Sequence, residues 1–186
     1  MMKTDLFPST LSKYYLEYDE EQKQSILDLY AKHKFEVDKP FIFANDEVRE
    51  LLSNYSEIIV DHLDSMSHDG SATITDVRLV VLGPGDSVDR DCHLPGHYTA
   101  VHYIKYEEGQ HNADIYFNPS YDVLRFLGRN TDLVAGLWVK EGDVIIYPSY
   151  LHTSSPKNTS KEERITLMFT FVVDERREPS PEESPE

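Results

Sequence analysis

The stretch Gly142–Phe171, GDVIIYPSYLHTSSPKNTSKEERITLMFTF, contains two β-like runs separated by a polar loop. The first run, Val144–Tyr147, ends in Tyr-Pro-Ser, where proline cannot continue a hydrogen-bonded ladder, so the strand ends and the chain turns. His152 follows this turn, and the second run, Arg164–Val173, opens twelve residues further on. An imidazole at a strand end and the guanidinium of Arg164 on the returning strand can face one cavity. This pairing suits a metal ligand beside a carboxylate anchor.

Four further runs rich in β-branched and aromatic residues precede that stretch. They are Thr73–Leu82, Tyr98–Tyr106, Ala113–Phe117 and Leu133–Val139. Because no helical pattern alternates with these six runs, they predict an antiparallel barrel or sandwich rather than a parallel sheet. The fold class is therefore mainly β with flanking helices (α+β).

The helical patterns lie before the strands. Residues 20–33 and 46–66 repeat apolar side chains at helical spacing, and we expect both segments to cover one outer face of the barrel. His62 lies within the apolar stripe of the second segment and is predicted to be a packed core histidine. Residues 1–19 show no clear period and are predicted to be an extended lead-in.

Composition limits the partners and the compartment. The chain has 186 residues and a formal net charge of −16, whereas an extended phosphate-binding surface needs clustered Lys and Arg, so no nucleic-acid partner is expected. The single cysteine, Cys92, excludes an internal disulfide and fits a reducing compartment. The first ten residues lack the apolar core of a signal peptide, and no apolar run approaches the roughly 18 residues of a membrane helix. We expect a cytoplasmic protein that does not associate with membranes.

We expect one domain over residues 1–173, with a helical lead-in at about 20–66 and a β-barrel at about 72–173. The remaining residues, 174–186, hold six acidic and two basic side chains and no apolar residue besides proline. Such a segment cannot bury enough surface to offset its ordering entropy, so we predict a disordered acidic tail.

A second set of candidate ligands lies in DRDCHLPGHYTAVHYIKY, residues 89–106. In an extended segment residues two apart point the same way, so Asp91 and His93 would face one side together. With His152 they make two imidazoles and one carboxylate. Three such ligands on one face of an octahedral ion leave three positions open, as in non-haem Fe(II) oxygenases. A site that uses His97 instead remains open.

The segment VIIYPSYLHTSSPKNTSKEERITLMFTF resembles the C-terminal half of prolyl-hydroxylase-like 2-oxoglutarate/Fe(II) oxygenases. In that superfamily a Tyr-Pro-Ser-like turn leads to the distal metal-binding histidine, and an arginine roughly ten residues on opens the next strand. His152 and Arg164 match those two positions. TAVHYIKY resembles the strand after the first metal motif, in which the position of Tyr103 often helps to hold the C5 carboxylate of 2-oxoglutarate. ADIYFNP resembles the strand that follows, and the resemblance covers about residues 75–173.

The first metal motif departs from the superfamily pattern. The usual order is His-x-Asp or His-x-Glu, with His-x-His in small members, whereas this chain has Asp91-Cys92-His93. An ungapped alignment places Asp91 and His93 at the two ligand positions in swapped order. Another alignment makes His93 the first ligand and puts Pro95 in the carboxylate position, which leaves an incomplete triad.

The resemblance implies a double-stranded β-helix (jelly-roll) that uses Fe(II), 2-oxoglutarate and O2, with ascorbate as a reductant. It implies hydroxylation of a C–H bond of a peptide side chain or small metabolite, with release of succinate and CO2. Arg164 would anchor the cosubstrate, because guanidinium matches a carboxylate bidentately. Tyr103 or Thr166 would add a hydroxyl donor, since Thr166 shares the face of Arg164.

Two other functions stay open from the sequence. One is a cupin-like metal enzyme that does not use 2-oxoglutarate, and the other is a non-catalytic binding module with a degenerate metal site. The sequence names neither the substrate nor the oligomeric state.

Overall fold

The structure is a computed structural model that describes residues 2–6, 9–17, 20–33, 46–93, 95–108, 114–118 and 135–174. The predicted acidic tail lies outside these residues, except that Asp174 ends a strand. No helix in these ranges is long and apolar enough to cross a membrane.

The described residues form ten strands and three helices in the following order along the chain. They are β1 (Met2–Leu6), β2 (Ser9–Tyr15), α1 (Glu20–His33), α2 (Asp46–Ser53), α3 (Ser56–Ser65), β3 (Ser71–Leu82), β4 (Val88–Asp91), β5 (Tyr98–Lys105), β6 (Ile115–Asn118), β7 (Ala135–Leu137), β8 (Asp143–Pro148), β9 (His152–Ser155) and β10 (Arg164–Asp174).

The strands build two antiparallel sheets. The six-stranded sheet has the order β1-β2-β8-β5-β10-β3, and the four-stranded sheet has the order β4-β9-β6-β7. All the strand pairs are antiparallel. The predicted mainly β jelly-roll class is confirmed.

The three central strands of the six-stranded sheet, β8, β5 and β10, are buried on both faces, and each face has its own core. Toward the helices, Ile59 and Leu63 of α3 pack with Leu167 and Phe169 of β10. Toward the four-stranded sheet, a second cluster fills the interior of the jelly roll; it comprises Leu11, Val101, Tyr103, Tyr106, Ile115, Phe117, Val139, Ile145, Tyr147, Leu151 and Met168. The helices therefore cover the outer face of the six-stranded sheet, as predicted.

The helix predicted over residues 46–66 is broken into α2 and α3. At the break, the N–H of Tyr55 donates to the carbonyl of Leu52, a short-range bond typical of a helix end. The Tyr55 side chain is buried and its hydroxyl lies 2.6 Å from Nδ1 of His102 on β5. Burial lowers the pKa of His102 to about 3, so this imidazole is neutral. His62 is buried against the Ser12 hydroxyl at 3.0 Å, which confirms it as a core histidine.

Residues 1–19 were predicted to be an extended lead-in without regular structure, and this prediction is wrong. The segment contributes β1 and β2 to the six-stranded sheet. β2 pairs with β8, with Ser12 opposite Ile146. Leu11 and Ser12 are both fully buried, although they point to opposite faces of the strand. A strand covered on both faces has no polar–apolar alternation, which is why sequence periodicity did not reveal it.

Candidate ligand site inside the jelly roll

Arg164 opens β10 and is only 3% exposed. Its Nη1 donates to the Pro156 carbonyl at a long 3.5 Å, while Nε and Nη2 have no hydrogen-bond partner among the described residues. The guanidinium carbon lies 5.1 Å from the ring centroid of Tyr106. None of the ion pairs seen between described residues involves this cation. Because an unpaired buried charge costs on the order of several kcal/mol, the geometry favours an anionic ligand here.

The loop before Arg164 is held by one buried amide. The Asn158 Nδ2 donates to the carbonyls of Leu82 and Glu162, each at 2.9 Å, and Oδ1 accepts from the Ser160 N–H at 3.1 Å. Asn158 is 1% exposed. These bonds tie the loop to the end of β3 and fix where β10 begins. The polar loop between the two C-terminal runs thus contains a structural brace that the residue pattern alone did not reveal.

Tyr103 and Thr166 lie beside Arg164. They face each other in the register between β5 and β10 and are 2% and 8% exposed. Burial raises the pKa of Tyr103, which Arg164 opposes only in part, so the phenol stays protonated and its O–H is a donor. The structure thus brings the three residues predicted to hold 2-oxoglutarate to one end of the interior.

A second buried network positions the Tyr106 ring under Arg164. The Tyr106 hydroxyl donates to one carboxylate oxygen of Asp114, and the Val139 N–H donates to the other at 2.7 Å. Asp114 is 1% exposed. Sequence reasoning missed this role, although an Asp at the start of a predicted apolar strand was a visible signal.

The other end of the interior, which we call the mouth, contains Asp91 and His93. Asp91 is exposed at the end of β4, and its Oδ1 accepts from the Cys92 N–H at 2.8 Å. The His93 N–H donates to the Ser149 carbonyl at 3.1 Å. Burial lowers the pKa of His93, and the charge of Asp91 opposes this shift. Asp91 therefore acts electrostatically on a predominantly neutral imidazole.

His152 does not join them. Its neighbour Thr153 is opposite Asp91 in the register, and the Thr153 Oγ1 lies 3.5 Å from the buried Tyr147 hydroxyl of the interior cluster. Ser154 contacts Asn118 across the other face of the sheet, at 3.3 Å. His152 is two residues before Ser154 and opposite Asn118 in the register, so strand alternation places it on the face of these two residues. Its Nδ1 is buried there and has no hydrogen-bond partner among the described residues.

The predicted set of Asp91, His93 and His152 is therefore not assembled. Within the part of the chain that the structure describes, no group of three His, Cys, Asp or Glu residues is placed to hold a metal ion. Nor does His97 replace the missing ligand. Its side chain is exposed and its Nδ1 accepts from the Val173 N–H at 3.0 Å, which occupies it at the end of β10.

Comparisons with known proteins extend only to structure. No protein-family model matches this sequence, and no curated protein sequence matches it. AviO1 from Streptomyces viridochromogenes Tue57 is a similar solved structure, with a TM-score of 0.60, 16% identity and 92% of each chain covered. A prolyl-4-hydroxylase from Pseudomonas putida aligns with a TM-score of 0.58 and 11% identity over 90% of this chain and 88% of its own. HygX from Streptomyces hygroscopicus, solved with nickel and 2-oxoglutarate, aligns with a TM-score of 0.60 and 11% identity over 87% of this chain and 82% of its own.

The chain has the fold of the 2-oxoglutarate/Fe(II) oxygenases. Proteins of this fold class use 2-oxoglutarate and Fe(II), and the interior residues of this chain can be compared with what each of these two groups needs. The residues at Arg164 fit one carboxylate of 2-oxoglutarate, because two buried nitrogens of a planar fork have no other partner in the part of the chain that the structure describes. The mouth does not fit Fe(II) through the predicted triad, because only Asp91 and His93 of the three lie together.

Proposed function

We propose that the protein binds 2-oxoglutarate inside the jelly roll and belongs functionally to the 2-oxoglutarate-dependent oxygenases. The observation that carries this proposal is the buried Arg164 guanidinium, whose Nε and Nη2 have no hydrogen-bond partner in the described ranges of the chain. Arg164 would bind the C5 carboxylate, with Tyr103 or Thr166 donating an O–H to the same group. The fold supports this assignment, since similar structures include HygX with 2-oxoglutarate and a viral collagen prolyl hydroxylase solved as its 2-oxoglutarate complex.

The chain's own residues explain why this end of the interior suits a carboxylate. Desolvation strengthens the attraction between the guanidinium and an anion, because little water competes for the donors. The protonated Tyr103 phenol adds a hydrogen bond without adding charge. The Tyr106 ring supports the guanidinium from one side, which leaves the hydrogen-bonding edge for the ligand.

The reaction that this class implies is hydroxylation of a C–H bond with release of succinate and CO2, and Fe(II) supplies its oxidising chemistry. Asp91 and His93 are the residues at the mouth that suit a metal by ligand type. The third predicted ligand, His152, does not form a group of three with them in the described part of the chain.

A second candidate function is a non-catalytic binding module for a dicarboxylate. The observation that favours it is that Thr153, rather than His152, lies on the inner face opposite Asp91. A neutral hydroxyl is a much weaker ligand for Fe(II) than an imidazole. Such a module would retain the Arg164 end and lack a stoichiometric metal.

One calorimetric experiment separates the possibilities. We would titrate 2-oxoglutarate into the full chain in EDTA and in Mn(II), and measure bound metal and succinate formation with Fe(II) and ascorbate. An oxygenase should bind 2-oxoglutarate more tightly with Mn(II) and form succinate. A module should bind it equally in both buffers and hold no stoichiometric metal. A cupin-like enzyme should hold metal without binding 2-oxoglutarate.

The matched variants are Arg164→Ala and Lys161→Ala. Both remove one positive charge from the same short segment, but Lys161 is exposed. Only Arg164→Ala should abolish 2-oxoglutarate binding. The proposal would be refuted if 2-oxoglutarate bound to the folded wild-type chain neither in EDTA nor in Mn(II).

A further inference from the structure

A second charged site lies on the inner face of β3, where Asp76 and Arg78 form an ion pair. The Arg78 Nε lies 2.7 Å from the Asp76 Oδ2, and the two side chains are 32% and 19% exposed, respectively. Val77 and Leu79, which alternate with them, pack toward the helices. Val80 packs against the interior cluster. Strand alternation therefore turns Asp76 and Arg78 toward the interior.

A bulge in β3 lies directly beside Asp76. The pairing between β10 and β3 shifts at Thr170–Phe171, where Thr170 is opposite Asp76 and Phe171 is opposite Ile74. The skipped residue, Thr75, contacts the Thr170 hydroxyl at 3.1 Å, so Thr75 and Asp76 lie on the same side of the bulge. Such bulges re-aim side chains, often next to functional sites.

One oxygen of this carboxylate has no partner. The Asp76 Oδ1 is buried and accepts no hydrogen bond from any described residue, whereas Oδ2 accepts from Arg78. A buried anionic oxygen without a donor is costly, and the cost is relieved when a ligand supplies an N–H group. The Arg78 guanidinium carries four further N–H donors beyond the one that faces Asp76.

The pair belongs to the mouth and not to the Arg164 end. The charges of Asp91, Arg78 and Asp76 all act on the pKa of His93, so the four side chains share one region. Arg78 is opposite Met168, four residues beyond Arg164 on β10. At about 3.3 Å per residue this separates the two arginines by about 13 Å along the strand. A carboxylate bound at Arg164 would therefore leave the ion pair accessible to another ligand.

We propose that Asp76 and Arg78 bind the head group of a free α-amino acid, which makes amino acids the substrate class of this protein. The ligand's ammonium would donate to the Asp76 Oδ1, and its carboxylate would accept from the Arg78 Nη groups. A zwitterion suits the pair because its ammonium and its carboxylate, carried by one carbon, can face the neighbouring Asp76 carboxylate and Arg78 guanidinium, respectively. The assignment of the bound amino acid as a substrate rests on the proposed function. Binding of the amino acid to Asp76 and Arg78 does not require 2-oxoglutarate.

The test titrates the full chain with a panel of L-amino acids and follows binding by calorimetry. For any amino acid that binds, its N-acetyl derivative and its methyl ester are measured in parallel. Because the first lacks the ammonium and the second lacks the carboxylate, each should bind at least about tenfold more weakly. This comparison uses only the wild-type protein, so it does not depend on whether a variant folds.

Variants then locate the site. Asp76→Asn keeps the shape but removes the charge, and Arg78→Lys keeps the charge but removes the fork; each should weaken amino-acid binding at least about tenfold. Arg164→Ala should lose 2-oxoglutarate and retain the amino acid, which separates failure of this inference from failure of the proposed function. The inference is overturned if no amino acid binds, if both derivatives bind as well as the parent, or if folded Asp76→Asn and Arg78→Lys bind as well as wild type.

Discussion

The Arg164 end of the interior and the mouth differ in how many of their predicted site residues are buried and lie together. Around Arg164, the anchor, its supporting ring and a hydroxyl donor are all buried and in place, with Asn158 and Asp114 bracing them. At the mouth, Asp91 is exposed, and Thr153 rather than His152 is opposite it in the register.

The difference follows from the strands that support each end. Arg164 begins an eleven-residue strand that is paired on both sides and buried on both faces. Asp91 and His152 lie on the four-residue strands β4 and β9, whose pairing shifts between Val88 and Asp91. Because strand side chains have a period of two, one residue of register decides which neighbour faces inward. The placement of Arg164 is thus determined by long, paired strands, whereas the ligand set at the mouth depends on whether position 152 or 153 faces Asp91.

The largest effect is expected from Arg164→Met. Affinity for 2-oxoglutarate should fall about 100-fold, because a buried charge-assisted contact of about 3 kcal/mol is lost. The same change should raise the thermal midpoint of the ligand-free protein, since it replaces an unpaired buried cation with an apolar side chain. Calorimetry and thermal unfolding measure the two effects.

The control for that variant is Lys161→Met at an exposed position nearby. It should change neither the affinity nor the midpoint appreciably. If folded Arg164→Met has a lower thermal midpoint than wild type, the guanidinium already has its partners within the fold and does not await an anionic ligand.

Thr153→His tests the mouth directly. An imidazole at this inward position would join Asp91 and His93, so Mn(II) affinity should rise at least about tenfold, measured by electron paramagnetic resonance. His152→Ala should leave metal affinity unchanged, because His152 lies on the other face. If His152→Ala instead weakens metal binding, His152 is a ligand after all and the register places it inward in the metal-bound state.

A smaller effect is expected from Tyr103→Phe. Loss of one neutral hydrogen bond to a carboxylate should weaken 2-oxoglutarate binding about fivefold, within the usual range of about 0.5–1.5 kcal/mol. Tyr116→Phe on β6 is the matched control, because Tyr116 is opposite Ser154 in the register and lies on the face of the sheet away from the interior. Equal affinities for wild type and Tyr103→Phe would assign the hydroxyl donor to Thr166.

Most of the fold could be predicted from the sequence because its strands and helices carry local signals. β-branched runs, turn residues and helical stripes indicated six of the eight described strands that follow the helices, all but the four-residue strands β4 and β9. They also indicated the helices on one face and the core position of His62. The position of Arg164 at the start of β10, two residues before Thr166, also follows from strand periodicity alone. These features depend on neighbours in the chain, which a sequence displays.

Only the tertiary structure decided three further points. β1 and β2 are strands because β8 offers β2 an edge. In β2, Leu11 and Ser12 are buried on opposite faces, so this segment shows no polar–apolar alternation. That Arg164 has no ion-pair partner among the described residues depends on which acidic groups the fold brings near it. Whether His152 or Thr153 faces Asp91 depends on the pairing of two short strands, and residue spacing along one strand does not specify register with another.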